Sequence, residues 1–343
     1  MTVDEKLQTC ARPPALAFRR RFGRDGGPIE GELGGRWLGG EGPSALAMVL
    51  LCPEGAVHDA WSGAAGPAKH EYGCVRYATD GHWLHGCAEI DEARVASGLQ
   101  AASRQAYADL FAVLAASASP YLLRLWNHFP AMNLETGGIE RYRQFNAGRQ
   151  QAFNDAGRSA FEGAPAACAL GTSGGPLRVY FLAGAHAPLA IENPRQVSAY
   201  RYPDSYGPRS PTFSRAALVD TGGGRQMLFI SGTASIIGHE TVHLGDVRRQ
   251  TEESLANIAA VLLAAASRAG VAVPLQGLNC TIYLRHADDL AVVREVFERQ
   301  VGVHSAAACE AVYLRADICR ADLLVEIEAH GMVPMAGSKA SAP

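Results

Sequence analysis

Residues Phe229–Gly270 read FISGTASIIGHETVHLGDVRRQTEESLANIAAVLLAAASRAG, and this stretch decides which fold the chain can adopt. Asp246 is a favourable N-cap residue, and Gly270 suits the left-handed conformation that commonly ends a helix. Between them, residues that can face a core recur at close to helical spacing: Val247, Thr251, Leu255, Ile258 and Leu262. We therefore expect a strand, a loop and then a capped amphipathic helix from Asp246 to Ala269, an arrangement that frames a small-molecule pocket.

The same stretch contains a competing signal, because His239–His243 reads HETVH and matches the zinc motif H-E-x-x-H. That motif binds zinc from a helix, where residues four apart share one face. Gly238 precedes the motif, Gly245 follows it, and no H-x-x-G-x-x-H extension supplies a third ligand. We expect the motif to lie on a loop and the protein to need no metal or other cofactor. A zinc hydrolase that uses His239 and His243 is a competing hypothesis.

The composition indicates a folded protein with two domains of ordinary size in its 343 residues. A hydrophobic fraction of 48% with 19% charged residues excludes a disordered chain. The net charge of −3 gives no reason to expect nucleic acid or an anionic membrane as a partner. Without a visible signal peptide, transmembrane stretch or C-x-x-C spacing among the eight cysteines, we expect free thiols and a cytoplasmic protein.

The order of predicted elements repeats in the two halves of the chain. Each half reads strand, helix, strand, helix, strand, strand, so we expect two related α+β domains, each a mixed β-sheet with two helices packed on one face. The predicted helices are 91–117, 140–161, 246–269 and 288–301, and the predicted strands are 45–52, 82–89, 120–129, 166–170, 177–182, 226–231, 279–286, 311–315 and 323–329. The expected segments are an irregular lead-in (1–45), the N-terminal domain (46–195), a connecting segment (196–215), the C-terminal domain (216–335) and a tail (336–343).

The connecting segment, QVSAYRYPDSYGPRSPTFSR, holds three Tyr, three Arg and three Pro in twenty residues. Such rings and guanidinium groups suit a planar anion, although an ordered surface connection would also explain them. In the polar helix that follows residue 140, Tyr142 and Arg149 share one face and could clamp a carboxylate, unless that face is merely solvated. Near the end of the chain, Glu326 lies on a strand whose other face is apolar. Burial there would let it act as a general acid.

Several long blocks make the chain resemble a known family. GDVRRQTEESLANIAAVL with a terminal VEIEA resembles the YjgF/RidA superfamily. The blocks NHFPAMNLETGGIERYRQFNAGR, SAYRYPDSYGPRSPTFSRA, SGTASIIGHETVH and YLRADICRADLLVEIE resemble its chorismatase branch. The resemblance runs from about residue 70 to 330. It implies two RidA-like (chorismate-mutase-like) domains, a pocket between elements of both, and metal-free hydrolysis of chorismate with release of pyruvate.

The resemblance also implies roles for single residues. Glu326 matches the first Glu of the terminal strand and is the expected acid, with Arg149, Arg209 and Arg320 as carboxylate clamps. Walls or hydroxyl donors are expected from Tyr142, Tyr200, Tyr202 and Tyr206, and substrate binding also from Thr233. Members that make an aromatic hydroxybenzoate have Gly and Cys where this chain has Gly232 and Cys319. The glycine would leave room for the ring to approach the backbone, and the thiol would assist proton movement.

We therefore predict a chorismatase that forms 3-hydroxybenzoate and pyruvate, with 4-hydroxybenzoate as a further product to test. The alternatives are release of a dihydroxycyclohexadiene carboxylate, a RidA-like imine deaminase, and a binding protein without catalytic activity. We also expect a monomer, because two fused RidA-like domains could supply within one chain an interface that single-domain relatives make by trimerising.

Overall fold

Two mixed seven-stranded sheets, each covered by helices on one face, form the two halves of the molecule. The structure is a computed structural model that describes residues 15–23, 29–40, 45–64, 66–96, 98–160, 163–207, 209–222, 224–270 and 272–334.

In chain order, the described strands are β1 (Ala17–Phe22), β2 (Glu32–Leu38), β3 (Ala45–Leu46), β4 (Val49–Cys52), β5 (Val57–Ser62), β6 (Ala68–Tyr72), β7 (Val75–Thr79), β8 (Trp83–Ile90), β9 (Tyr121–Pro130), β10 (Glu135–Thr136), β11 (Ile139–Glu140), β12 (Ala166–Thr172), β13 (Leu177–Gly184), β14 (Leu189–Ile191), β15 (Ala216–Gly222), β16 (Arg225–Ala234), β17 (Ile236–Ile237), β18 (Glu240–Thr241), β19 (Asn279–Leu284), β20 (Val312–Arg315), β21 (Asp317–Ile318) and β22 (Val325–Pro334). The described α-helices are α1 (Gly98–Ala115), α2 (Arg141–Asp155), α3 (Val247–Ala269), α4 (Leu290–Val301) and α5 (Ala306–Cys309).

The two large sheets share one strand order. In the N-terminal sheet the order is β12-β9-β13-β8-β7-β6, and in the C-terminal sheet it is β20-β19-β22-β16-β15-β14. The first two strands of each series are parallel. Helices α1 and α2 pack on one face of the first sheet, and α3 and α4 pack on one face of the second. The prediction of two related α+β domains is confirmed.

Each large sheet is completed by a strand from the other half of the chain. Strand β21 pairs with β12 of the N-terminal sheet, and β4 pairs with β20 of the C-terminal sheet. Strand β14, expected in the N-terminal domain (46–195), also pairs into the C-terminal sheet through β15. An edge strand leaves backbone groups unpaired. Strands β21 and β4 therefore supply hydrogen-bond partners to the outer sides of β12 and β20. The sheets therefore do not follow the expected domain boundaries.

The expectation of an irregular lead-in over residues 1–45 is wrong for Ala17–Phe22 and Glu32–Leu38. These segments are β1 and β2, which form a four-stranded sheet in the order β1-β5-β2-β3. We call it the N-terminal small sheet. The alternation of apolar and polar residues that identifies a strand is missing here, because β2 carries two adjacent glycines and buries Arg36 between the apolar Leu33 and Leu38. Residues 1–14, 24–28 and 41–44 of the expected lead-in lie outside the described residues, as do 335–343, which include the expected tail.

The faces of the two large sheets that point away from the helices pack against each other and against the small sheet. One apolar cluster joins Leu38 of β2, Trp61 of β5, Trp126 of β9, Phe229 of β16 and Tyr283 of β19. The molecule thus has a core beneath each helical layer and a third core at the domain junction, where several charged side chains are also buried.

The strand and the capped helix of Phe229–Gly270 fold as predicted, whereas the expected loop between them contains the short β17–β18 hairpin. Helix α3 begins at Val247, the side chain of Asp246 accepts a hydrogen bond from the Arg249 amide, and Gly270 ends the helix with a φ of 69°. The HETVH motif precedes the helix and belongs to the β17–β18 hairpin and its turns. Its two histidines therefore do not share a helical face.

Other boundaries shift by a few residues. Helix α2 ends at Asp155, earlier than the predicted 161, and α1 begins at Gly98 instead of 91. Strands β5, β6, β7 and β15 were not predicted. Every residue of β6 is exposed, so this edge strand carries no apolar alternation to detect. No helix of the described residues is both long and apolar enough to cross a membrane.

Candidate active site

A cleft of about 650 Å³ opens at the junction of the two domains, at one end of β16 and β22. Helix α2 and the connecting segment (196–215) form its walls. The cleft brings together seven residues predicted from the sequence: Tyr142, Tyr202, Tyr206, Gly232, Cys319, Arg320 and Glu326.

Glu326 is the buried carboxylic acid of the cleft. On β22, Val325 and Ile327 face the helices, so the alternation of a strand turns Glu326 toward the domain junction. Only 3% of the residue is exposed. Burial, followed by the negative charge of Glu328, raises the pKa of Glu326 to about 8, although Arg124 and Arg215 act in the opposite direction. Glu326 is therefore mostly protonated at neutral pH and can donate that proton.

Glu328, two residues further along the same face of β22, is the opposite case. Its Oε1 accepts hydrogen bonds from Nη2 of Arg36 and from the hydroxyl of Tyr283, both at 2.9 Å, and its Oε2 pairs with Arg124. Burial alone would raise the pKa of Glu328, but Arg36 and Arg124 outweigh it and hold that pKa well below its usual range. Glu328 is therefore ionised beside a protonated Glu326.

Gly232 on β16 lies directly against this acid. A Cβ atom at position 232 would overlap Oε1 of Glu326 and would lie 3.1 Å from Cβ of Cys168. The prediction for Gly232 is that it leaves room for a substrate ring. In the structure the carboxyl group of Glu326 occupies that room, so the glycine is needed for the position of the acid.

Cys319 is the second group in contact with Glu326, with its Sγ 3.9 Å from Oε2. Burial, followed by the charge of Glu326, raises the pKa of the Cys319 thiol to about 12. The side chain is therefore a neutral S–H group at physiological pH. It can donate a weak hydrogen bond to the carboxyl group but is not a thiolate nucleophile.

Arg215 and Arg320 are two of the three arginines that line the cleft. Arg215 is buried, and its Nη2 donates to the Val197 carbonyl and the Tyr202 hydroxyl, both at 2.8 Å. Arg320 donates to the His239 carbonyl at 2.9 Å, and its guanidinium carbon lies 4.1 Å from the Tyr206 ring centroid. Within the described part of the chain, Nε of Arg215 and Nη2 of Arg320 are buried without a protein acceptor. Both guanidinium groups can therefore bind an anion.

Arg149 lies deeper, in a recess of about 40 Å³ behind Glu326, and not in the main cleft. Its Nη2 donates to Asn146 Oδ1 at 2.8 Å, and its guanidinium carbon lies 5.0 Å from the Phe145 ring centroid. Tyr142 lines both the cleft and the recess. Burial raises the pKa of the Tyr142 hydroxyl, which stays neutral. Arg149 thus helps to position the inner wall and can reach only a small group in the recess.

Three further predicted site residues line neither the cleft nor the recess: Tyr200, Arg209 and Thr233. Tyr200 lies beneath the guanidinium group of Arg201, at 5.8 Å, and Arg209 is exposed. Thr233 follows Gly232 on β16, so its side chain takes the other face of the strand. Its hydroxyl donates to the Ser231 carbonyl of the same strand.

Several other residues contribute to the cleft or its charge and were not predicted, among them Arg143, Phe213, Arg215 and Glu328. Arg215 and Phe213 end the connecting segment, whose Tyr/Arg/Pro content was the signal that could have identified them. Arg143 lies one residue after Tyr142 and also lines the cleft. Glu328 had a visible signal in the alternation of β22, but nothing in the sequence showed which glutamate would be paired.

The histidines of HETVH have other contacts. His239 Nδ1 lies 3.2 Å from the Tyr206 hydroxyl, and His243 Nε2 lies 3.7 Å from a carboxylate oxygen of Glu253. Among the described residues, no group of three or more His, Cys, Asp and Glu side chains is arranged to hold a metal ion. HETVH therefore positions a wall of the cleft through Tyr206 and Arg320.

Comparisons with known proteins agree with this architecture. Residues 59–183 match the family model described as chorismatase FkbO/Hyg5-like, N-terminal. The chain is 37% identical, over 74% of its length and 75% of the relative, to a 3-hydroxybenzoate synthase of Streptomyces hygroscopicus. It is 35% identical, over 84% of its length and 89% of the relative, to a chorismatase of Streptomyces rapamycinicus.

A solved structure shows the same fold over nearly the whole chain. The crystal structure of a chorismatase superposes with a TM-score of 0.82 at 30% sequence identity, covering 94% of this chain and 99% of that protein. The likeness thus includes both large sheets.

Proposed function

The chain belongs to the chorismatase family, and we propose that it cleaves the enolpyruvyl ether of chorismate and releases pyruvate. One observation carries this proposal: a buried glutamic acid, Glu326, holds a proton at neutral pH inside a cleft walled by arginines and tyrosines. An enol ether is cleaved by proton donation to carbon, and a carboxylic acid that stays protonated at neutral pH is suited to that task.

In the proposed reaction, Glu326 transfers its proton to the terminal methylene of the enolpyruvyl group. The ether carbon becomes an oxocarbenium ion, an oxygen nucleophile adds to it, and the resulting adduct collapses to pyruvate and a ring alcohol. With water as the nucleophile, the second product is a dihydroxycyclohexadiene carboxylate. Loss of one water from that diene gives a hydroxybenzoate, so the conversion of chorismate to hydroxybenzoate and pyruvate consumes no water overall.

The two carboxylates of chorismate match the cations of the cleft. We assign one carboxylate to Arg215 and the other to Arg320, since each has a buried donor that no described residue uses. Tyr202 and Tyr206 would flank the ring. Arg209, Tyr200 and Thr233 take no part in this assignment, because they lie outside the cleft lining, and Arg149 supports the recess behind the acid.

For the product, we propose 3-hydroxybenzoate, with 4-hydroxybenzoate as a minor species. The support is the combination of Gly232 and Cys319 at the acid, together with the 37% identity to a 3-hydroxybenzoate synthase. A neutral thiol 3.9 Å from Oε2 of Glu326 can donate a weak hydrogen bond to the carboxylate that remains after the first transfer. Both walls of the cleft come from one chain, so we further propose that the monomer is active.

The test is a coupled assay on the purified protein. Chorismate is added, pyruvate is followed with lactate dehydrogenase, and the aromatic product is identified by chromatography. The amount of pyruvate should equal the summed amount of the two hydroxybenzoates, with 3-hydroxybenzoate predominant. A diene carboxylate in place of the aromatic acid would overturn the product assignment alone, whereas absence of pyruvate would overturn the proposed function. Light scattering during the assay would show whether the active species is the monomer.

A further inference from the structure

The N-terminal small sheet reaches the acid site through one side chain. Arg36 projects from β2 into the domain junction, where only 2% of it is exposed. Its Nη2 lies 2.9 Å from Oε1 of Glu328, and its guanidinium carbon lies 4.5 Å from the Trp126 ring centroid. The small sheet belongs to neither large sheet, and β2 lies outside the residues 59–183 that the family model matches.

Behind Arg36 stands a short series of alternating charges. Asp59 of β5 accepts a hydrogen bond from Nη2 of Arg36 at 3.3 Å and two from Arg20 of β1, at 2.7 and 3.0 Å. The side chains of all three are at most 2% exposed. A buried guanidinium group held on both sides by carboxylates has little freedom to move, so Arg36 presents a fixed positive charge to Glu328.

We propose that Arg36 is a positioning residue for catalysis, which keeps the charge of the carboxylate pair on Glu328 and thereby the proton of the pair on Glu326. Near neutral pH the two carboxyl groups share one proton, and the proton stays on the group with fewer cationic partners. Glu328 has two arginines and a tyrosine hydroxyl, whereas the contact of Glu326 is a neutral thiol. Without Arg36, Glu328 keeps one arginine partner, and the difference in proton affinity between the two carboxyl groups becomes smaller.

The charged and titratable groups around Glu328 come from every element packed against it. They are Arg36 on β2, Asp59 on β5, Arg124 and His128 on β9, Cys168 on β12, Tyr283 on β19, and Glu326 and His330 on β22. Burial is the largest cause that lowers the pKa of His128 and His330, to about 3 in each case. The thiol and the phenol stay neutral, since burial raises the pKa of both. The charges that set the protonation of Glu328 are therefore those of Arg36 and Arg124, while Asp59 is more remote.

This inference rests on the proposed function for its kinetic consequence, but the position of the proton can be measured without substrate. Infrared spectra over pH 5 to 9.5 would follow the carbonyl band of a buried protonated carboxyl group, identified as the band missing in Glu326→Gln. In Arg36→Met, loss of a positive charge should raise the midpoint of this band by about one pH unit or more. Part of its intensity should also move to a second band as the proton is shared with Glu328. In Arg36→Lys, which keeps the charge, the midpoint should return toward the parent value.

Arg20→Met is the matched control. Arg20 is buried in the same small sheet and pairs with the same Asp59, but it does not contact Glu328. This variant should be less heat-stable while its band keeps the parent midpoint. Should Arg36→Met not fold, the double variant Arg36→Met/Glu328→Gln removes the uncompensated charge, and Arg36→Lys still tests the proposal.

The pH dependence of pyruvate release gives the kinetic test. The alkaline loss of activity should move to higher pH in Arg36→Met, with a turnover at pH 7 lowered about tenfold, and should not move in Arg20→Met. An Arg36→Met protein whose infrared midpoint and alkaline loss both match the parent would overturn the role of Arg36. A parent protein that shows the infrared titration but releases no pyruvate would overturn only the proposed function.

Discussion

Two positions on one strand, 326 and 328, carry the same side chain on the same face but differ in protonation: one is neutral and the other is ionised. Glu328 lies among Arg36, Arg124 and Tyr283, and it is ionised. Glu326 lies at the cleft beside a glycine and a thiol, and it keeps its proton. The difference does not come from burial, since both residues are 3% exposed. It comes from the number of cationic partners, which makes one carboxylate a fixed charge and the other an acid.

The largest effect on the rate of pyruvate release is expected when the acid, Glu326, is itself replaced. Glu326→Gln keeps the shape of the carboxyl group but removes its transferable proton, so pyruvate release should fall at least ~10²-fold. Steady-state kinetics with chorismate would measure this loss, and the thermal midpoint would confirm that the variant is folded. Activity within a few-fold of the parent would show that another group donates the proton.

A somewhat smaller loss is expected when the acid is displaced and not removed. Gly232→Ala would put a Cβ atom where Oε1 of Glu326 now lies, and a misplacement of about 1 Å can cost ~10²-fold in rate. We expect turnover to fall about 10- to 100-fold. Gly174→Ala is the matched control, because an added Cβ there meets nothing within 4 Å, and it should keep the parent rate. Equal rates for the two alanine variants would contradict the packing role of Gly232.

Removing the charge of the second glutamate should change the pH at which the acid works. The pKa of Glu326 is about 8, and Glu328 contributes to raising it. Without that negative charge, the ionised form of Glu326 is favoured and its pKa falls. An ionised carboxylate cannot donate a proton, so the alkaline loss of activity in Glu328→Gln should move to lower pH by about one unit or more. Turnover at pH 7.5 should then be several-fold lower, and an unmoved profile would be inconsistent with this account.

The smallest effect on rate is expected at the thiol. A thiol is a weak donor, so Cys319→Ala should slow pyruvate release by only about 2- to 10-fold. The product mixture is the sharper measurement, because loss of the S–H group should raise the share of diene carboxylate at the expense of 3-hydroxybenzoate. Cys319→Ser keeps a donor and should retain more of the aromatic product. An unchanged mixture in both variants would remove Cys319 from the choice of product.

Elements of the fold could be predicted where their own residues carry a local pattern, such as a helix cap or a regular apolar face. Helix α3 has a cap at each end and a regular apolar face, so its bounds follow from residues 246–270 alone. Strands β1 and β2 could not be predicted, because β2 places an arginine and two glycines where apolar alternation would be expected. The exchange of β4 and β21 between the sheets depends on contacts between distant segments, which no local pattern encodes.

The same distinction separates the site residues that the sequence predicts from those that it does not. Glu326, Cys319 and Gly232 lie in recognisable blocks, and the structure brings them into contact. Arg215 lies at the end of a segment whose Tyr, Arg and Pro content indicates a binding role, but the sequence does not show which of its arginines turns inward, and the prediction names Arg209 instead. Arg36 lies 292 positions from the Glu328 that it contacts. Such a pair depends on packing between the small sheet and the C-terminal sheet, which no local pattern shows.

The most direct test of the contrast between the two glutamates is the pH dependence of pyruvate release from chorismate by the unaltered protein, as kcat/KM between pH 5 and 9.5. A protonated Glu326 that donates its proton predicts a rate that is flat through neutral pH and falls as pH rises through about 8, the pKa of that carboxyl group. A rate that already falls between pH 5 and 6, or one that rises continuously to pH 9, would contradict it, because Glu326 would then be ionised at neutral pH or would act as a base.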